Sequence, residues 1–187
     1  MHLPAPSTLG LLFGVSEVAL ALARRAGPNT KRSDRHSLAI LWSVILISVT
    51  SAVFAAFLFP KGALPHRQQL YLLGLGLFIA GLLLRWSSII RLGRFFTVDV
   101  AIAHEHRVID SGPYRLIRHP SYTGILLAFV GLGLCLVNWV SLLIVTLLPL
   151  GAFLWRITVE ERALADGLGE EYLAYVRRTK RLVPFVY

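Results

Sequence analysis

From Leu38 to Phe59 the chain runs without one charged residue, and a second apolar stretch, Tyr122 to about Thr158, is far too long for one bilayer crossing. About 20 apolar residues suffice to cross the hydrocarbon core as a helix. Backbone N–H and C=O groups find no water there, so such runs must satisfy them internally, and a helix does so within one segment. That requirement restricts this chain more than any other feature.

Composition agrees with it. The 187 residues are 56% hydrophobic and only 16% charged, with a mean hydropathy of +0.66, which is too apolar for a soluble helical bundle. The expected fold is all-α: a polytopic bundle of about five transmembrane helices, forming one domain over residues 1–187. Spans are expected at 8–23, 38–59, 69–92, 122–137 and 139–158, with Asn138 turning the last two into an antiparallel pair. The 8–23 segment carries Glu17, and its Gly10-x-x-x-Gly14 spacing suits close helix packing. MHLPAP lacks a basic leader, so this run reads as retained rather than as a cleaved signal peptide.

A formal charge of +9 could point to nucleic acid, but in a membrane chain Lys and Arg collect in cytoplasmic loops and against anionic lipid. Nucleic acid is therefore excluded as a partner, and membrane lipids are expected. Basic residues concentrate at 24–37 (Arg24, Arg25, Lys31, Arg32, Arg35), at 91–118 (Arg91, Arg94, Arg107, Arg115, Arg118) and in the tail from Arg156; the 60–68 loop holds only Lys61 and Arg67. The positive-inside rule puts the three rich segments on the cytoplasmic side. The polar clusters 93–122 and 156–187 then share one face.

Within the first cluster, DSGPYRLIRHPSYTG opens with turn chemistry at Ser111, Gly112 and Pro113. Pro120 suits the first position of the fourth helix, which leaves His119 near its N-cap, where free N–H groups and the helix dipole favour an anion. Arg118 and Tyr122 flank it. In the second cluster Arg156 and Glu160 are four apart on one helix face, and Glu161 lies around the turn. Ionisable groups near membrane depth face a wet interior and pair. Farther on, Glu170, Glu171, Arg177, Arg178 and Lys180 suit the solvated face of a C-terminal amphipathic helix, with Tyr172 and Tyr175 on its inner side.

No metal site is expected. His104-Glu105-His106 lacks the spacing that places two histidines on one helix face, and it reads as a solvated loop. Cys135 has no partner and reads as a packing residue. Gly74-x-Gly76 and Gly131-x-Gly133 lie inside spans and read as packing notches.

RHPSY at 118–122, followed by the Glu160-Glu161 pair beyond a long apolar stretch, resembles the RHPxY-hydrophobic-EE signature of the isoprenylcysteine carboxyl methyltransferase family, including its bacterial and archaeal members. GPY at 112–114 and the tail pattern Tyr172, Tyr175, Arg181 and Pro184 add to the likeness, which covers the chain from about Leu92 onward. Phospholipid N-methyltransferases and small-thiol S-methyltransferases share much of the signature, and eukaryotic members of the family carry additional N-terminal spans.

The resemblance implies an integral-membrane methyltransferase using S-adenosylmethionine, with its active site facing the cytoplasm. On that carry-over the cofactor lies against a cytoplasmic loop: Arg118, His119, Pro120 and Tyr122, with backbone near Val108, Gly112 and Tyr114, enclose it, and Glu161 helps to hold it. A lipidic carboxylate such as prenylcysteine is the implied acceptor. It is already ionised at neutral pH and needs orientation more than a base, which gives Arg156 the positioning role, with Glu160 holding the arginine. A small thiol or a phospholipid amine needs a proton removed, which makes Glu160 the candidate base. The reading from another class is a non-enzymatic membrane adaptor or transport protein without a cofactor pocket.

Overall fold

The computed structural model describes residues 3–23, 31–34, 36–96, 100–102 and 108–187. The architecture is helical, with six α-helices among the described residues: α1 (Pro6–Ala23), α2 (His36–Leu58), α3 (Arg67–Leu92), α4 (Pro120–Cys135), α5 (Trp139–Leu168) and α6 (Glu170–Arg178). Helices α1, α2, α3 and α5 are long and apolar enough to cross a membrane, whereas α4, at 16 residues, is shorter. Two stretches expected to be loops instead pair as an antiparallel ribbon, β1 (Lys31–Asp34) with β2 (Val100–Ile102). The His104-Glu105-His106 run and Arg24, Arg25, Arg35 and Arg107 lie outside the described residues.

Helix α5 shows why its end is hard to place from hydropathy. Its 30 residues extend about 45 Å at 1.5 Å per residue, well beyond a hydrocarbon core of about 30 Å. The apolar run stops near Thr158, but the helix continues to Leu168 and carries Glu160 and Glu161 in the turns beyond it. At its start the Asn138 side chain accepts from Val140 N (3.0 Å) and Ser141 N (3.2 Å). The turn residue is thus also the N-cap that satisfies two otherwise orphaned donors.

Helix α4 packs most extensively on α3, and α5 on α2. The α3/α4 contact is backbone to backbone: a Cβ on Gly124 would lie 2.6 Å from both Arg85 N and Gly81 O, and one on Gly74 would lie 2.6 Å from Gly131 O. Gly74, Gly131 and Gly133 therefore act as notches, while Gly76 faces open space. The Gly10/Gly14 expectation fails, because among the described residues nothing approaches within 4 Å of where a Cβ on either would lie. Instead α1 docks through the stripe Leu9, Phe13, Glu17 and Leu20 on another face. Gly124→Ala should push α4 off α3 and cost about 2 kcal/mol as overpacking; thermal unfolding in detergent at the wild-type temperature would contradict this.

Candidate active site

Helix α4 starts at Pro120, and His119 is its N-cap residue, but the imidazole makes no capping bond. Its backbone carbonyl accepts from Tyr122 N and Thr123 N, both at 3.0 Å, leaving the ring to turn inward, where it is 5% exposed and stacked on Tyr122 with centroids 5.5 Å apart. The chain before it is pinned to the tail: Arg118 N donates to Lys180 O at 2.7 Å and His119 N to Arg181 O at 3.0 Å. Thr123 Oγ1 donates to Leu182 O at 2.8 Å. The two polar clusters thus meet through main-chain bonds.

Glu161 is the charge hub between them. Its Oε1 accepts from Arg118 Nε at 2.8 Å and stands 3.2 Å from His119 Nε2, while its Oε2 accepts from Arg181 Nε at 2.9 Å. Arg118 also donates to the carbonyl of Thr179 at 2.5 Å, so one guanidinium ties α5 to the chain leaving α6. Glu160 has a different setting. Its carboxylate is 30% exposed, accepts from the Tyr122 hydroxyl at 2.8 Å and faces a cavity.

That cavity measures about 1320 Å³ with its open mouth included. Arg156, Glu160, Val108, Tyr114, Arg118, His119 and Tyr122 all line it, whereas Gly112, Pro120 and Glu161 do not. Gly112 sits at φ +62° in a short 3₁₀ turn, Gly112–Arg115, where a positive φ that glycine adopts without steric cost lets the chain bend beside Arg91. Pro120 is buried at the helix start. Val108 N donates to Glu171 Oε1 at 3.1 Å, and Tyr114 O accepts from the Tyr175 hydroxyl at 2.6 Å. Arg156 is 2% exposed and donates through Nη1 to Ser37 Oγ at the start of α2.

One end of the cavity is thus polar and the other is apolar, where Phe13 on α1 and Leu41, Trp42 and Ile45 on α2 meet Ile125 and Phe153. Tyr172 and Tyr175, expected only as the inner side of α6, also line the polar end. Burial raises both phenols well above their ordinary value, so they remain donors at neutral pH. The Tyr172 hydroxyl is buried without a hydrogen-bond partner among the described residues.

A second polar group in the wall was not legible as a unit. Glu17 and Arg85 read singly as charges inside apolar runs, 68 positions apart. In the fold both carboxylate oxygens of Glu17 accept from Arg85, through Nε and Nη2, and Arg85 Nη1 donates to Ser121 Oγ at 2.8 Å. The available signal was the cost itself, since a lone charge in hydrocarbon demands a partner. Ser37 offered no such signal; its neighbour Arg156 is 119 positions away.

The chain is 32% identical to "Protein-S-isoprenylcysteine O-methyltransferase B" of Arabidopsis thaliana over 94% of its length and 89% of that protein's. It is 33% identical to the corresponding enzyme A over the same shares. The alignment thus covers most of each plant relative's own length. The solved eukaryotic intramembrane Ras methyltransferase ICMT superposes with a TM-score of 0.65 at 28% identity, over 78% of this chain and 52% of that one. The chain therefore spans about half the length of that structure. The apolar helices and this intramembrane neighbour make it an integral membrane protein. With residues 73–166 matching the family model as well, the chain belongs to the isoprenylcysteine carboxyl methyltransferase (ICMT) family.

Proposed function

We propose that this chain is an S-adenosylmethionine-dependent membrane methyltransferase acting on the carboxylate of a lipid-tailed acceptor, in the first instance an isoprenylcysteine. The observation that carries this reading is one cavity joining a carboxylate, a buried arginine, an imidazole and several phenols to an apolar wall between α1 and α2. A cofactor that carries cationic centres suits Glu160, whose half-open carboxylate faces the cavity. When bound, S-adenosylmethionine supplies an electrophilic methyl group.

The chain's own residues divide the remaining work. His119, Tyr122, Tyr114 and the backbone near Val108 enclose the cofactor. Glu160 is better placed than Glu161 to meet its positive charge, because both oxygens of Glu161 are already engaged by Arg118, His119 and Arg181. Glu161 acts behind the wall, holding the RHPSY turn against α5. Arg156, fixed by Ser37, orients the acceptor carboxylate, which needs no base. The apolar wall shelters the lipid tail. The basic residues gathered around the site support a cytoplasmic orientation.

A direct test uses the detergent-solubilised protein. S-adenosylhomocysteine should raise its unfolding temperature with concentration, while NADPH should not. Isoprenylcysteine should accept methyl groups in preference to an alkyl thiol or a phosphatidylethanolamine. A folded protein indifferent to S-adenosylhomocysteine would refute the reading and favour an adaptor, and preference for the thiol or amine would refute the acceptor class and make Glu160 a base.

A further inference from the structure

The Glu17–Arg85 pair joins α1 to α3 in the wall of the cavity. Apolar side chains of similar volume commonly hold helices at no loss of stability, because desolvating two charges consumes much of their attraction. What an apolar pair lacks is direction. The guanidinium is a rigid planar fork, and Glu17 takes Nε and Nη2, leaving Nη1 aimed at Ser121. Arg85, Glu17 and Ser121 are 5%, 2% and 6% exposed, so these bonds are largely shielded from bulk solvent. All three line the cavity.

Ser121 stands between the N-cap His119 and Tyr122, whose side chains reach the carboxylates of α5. His119 faces Glu161 at 3.2 Å and Tyr122 donates to Glu160 at 2.8 Å. Within its own helix the first turn is held by Tyr122 N and Thr123 N donating to the His119 carbonyl, and the tail holds it from the other side, so Arg85 supplies a side-chain restraint from α3. The bond from Arg85 therefore ties the start of α4 to α3 at the point where the RHPSY turn enters the cavity. Helix α1 contributes by holding the fork still.

We propose that Arg85 is a positioning residue for this site: forked onto Glu17, it fixes Ser121 and with it the His119–Tyr122 turn. The consequence for ligand rests on the methyltransferase reading; the consequence for the turn does not.

The test separates the two. Ser121→Ala removes the last link while leaving the Glu17–Arg85 pair intact, and Ser121→Thr restores a hydroxyl. Arg85→Lys keeps the charge beside Glu17, but a single ammonium lacks the fork that serves both partners. Ser121→Ala and Arg85→Lys should speed amide hydrogen exchange in the peptide containing Tyr122 and Thr123 by about tenfold relative to wild type, with the rest of α3 unchanged. They should also weaken S-adenosylhomocysteine binding about fivefold by calorimetry, and Ser121→Thr should retain both properties. A lowered unfolding temperature with wild-type exchange at Tyr122–Thr123 and wild-type affinity means a merely structural pair and overturns the inference. Failure of wild type itself to bind S-adenosylhomocysteine refutes the proposed cofactor, and the exchange result still decides the positioning role.

Discussion

Arg156→Lys should lower kcat/KM for an isoprenylcysteine acceptor about a hundredfold, which corresponds to about 2.7 kcal/mol of transition-state stabilisation. Arg156 is buried on α5 and lines the cavity, and its Nη1 is oriented by Ser37 on α2. Two parallel N–H groups can clamp a carboxylate in one plane, whereas an ammonium offers a point charge on a flexible stem. Losing that clamp costs orientation, and orientation is most of what an already ionised nucleophile needs. Affinity for S-adenosylhomocysteine should stay within about twofold of wild type, because Arg156 is assigned to the acceptor. Initial rates over an acceptor series, with calorimetry of the same preparation, check both halves. A variant with wild-type kcat/KM would remove Arg156 from the acceptor site; one that loses S-adenosylhomocysteine instead would move it to the cofactor.

Glu161→Gln should destabilise the fold by about 3 kcal/mol, the scale expected when one partner of a largely buried ion pair is removed. The neighbouring Glu160→Gln should cost far less. Both substitutions are isosteric and adjacent, so the contrast rests on environment. Glu161 receives Arg118 and Arg181 and faces His119, and Arg118 is itself 8% exposed. Neutralising the carboxylate leaves that guanidinium without its counter-charge at the junction of α4, α5 and the tail. Arg181 is 32% exposed, so solvent screens its share and Arg118 carries most of the effect. Glu160, open to the cavity, should lose activity with little change in unfolding temperature. Thermal unfolding and turnover of the two variants provide the check, and equal melting temperatures would remove the hub role from Glu161.

Much of the architecture was legible because the bilayer simplifies the code. The apolar runs that mark α2, α3 and α5 cannot be anything but helices in hydrocarbon, and Pro120 and Asn138 each mark a helix start by local chemistry. The C-terminal helix was equally local: charges at Glu170, Glu171, Arg177 and Arg178 on one side, with Tyr172 and Tyr175 on the other. The ribbon between residues 31–34 and 100–102 was not legible, because strand pairing depends on a distant partner and neither short segment alternates by itself. Gly10 and Gly14 misled for a related reason: small-residue spacing says where a helix could be approached, and only packing decides which face is used.

The site divides along the same line. By itself the sequence determined a helical membrane chain, two polar clusters, and the RHPSY and Glu-Glu motifs that carry the family likeness, because hydropathy, turn residues and short motifs act over a few neighbouring positions. Tertiary structure decided which glutamate faces the cavity and which is consumed by Arg118, His119 and Arg181. It also decided that Glu17 reaches Arg85, that Ser37 orients Arg156, and that the tail closes over the start of α4. The physical reason is that Glu160 and Glu161 are neighbours in the chain, yet successive helix positions point about 100° apart, so each meets whatever the rest of the fold has brought to its side.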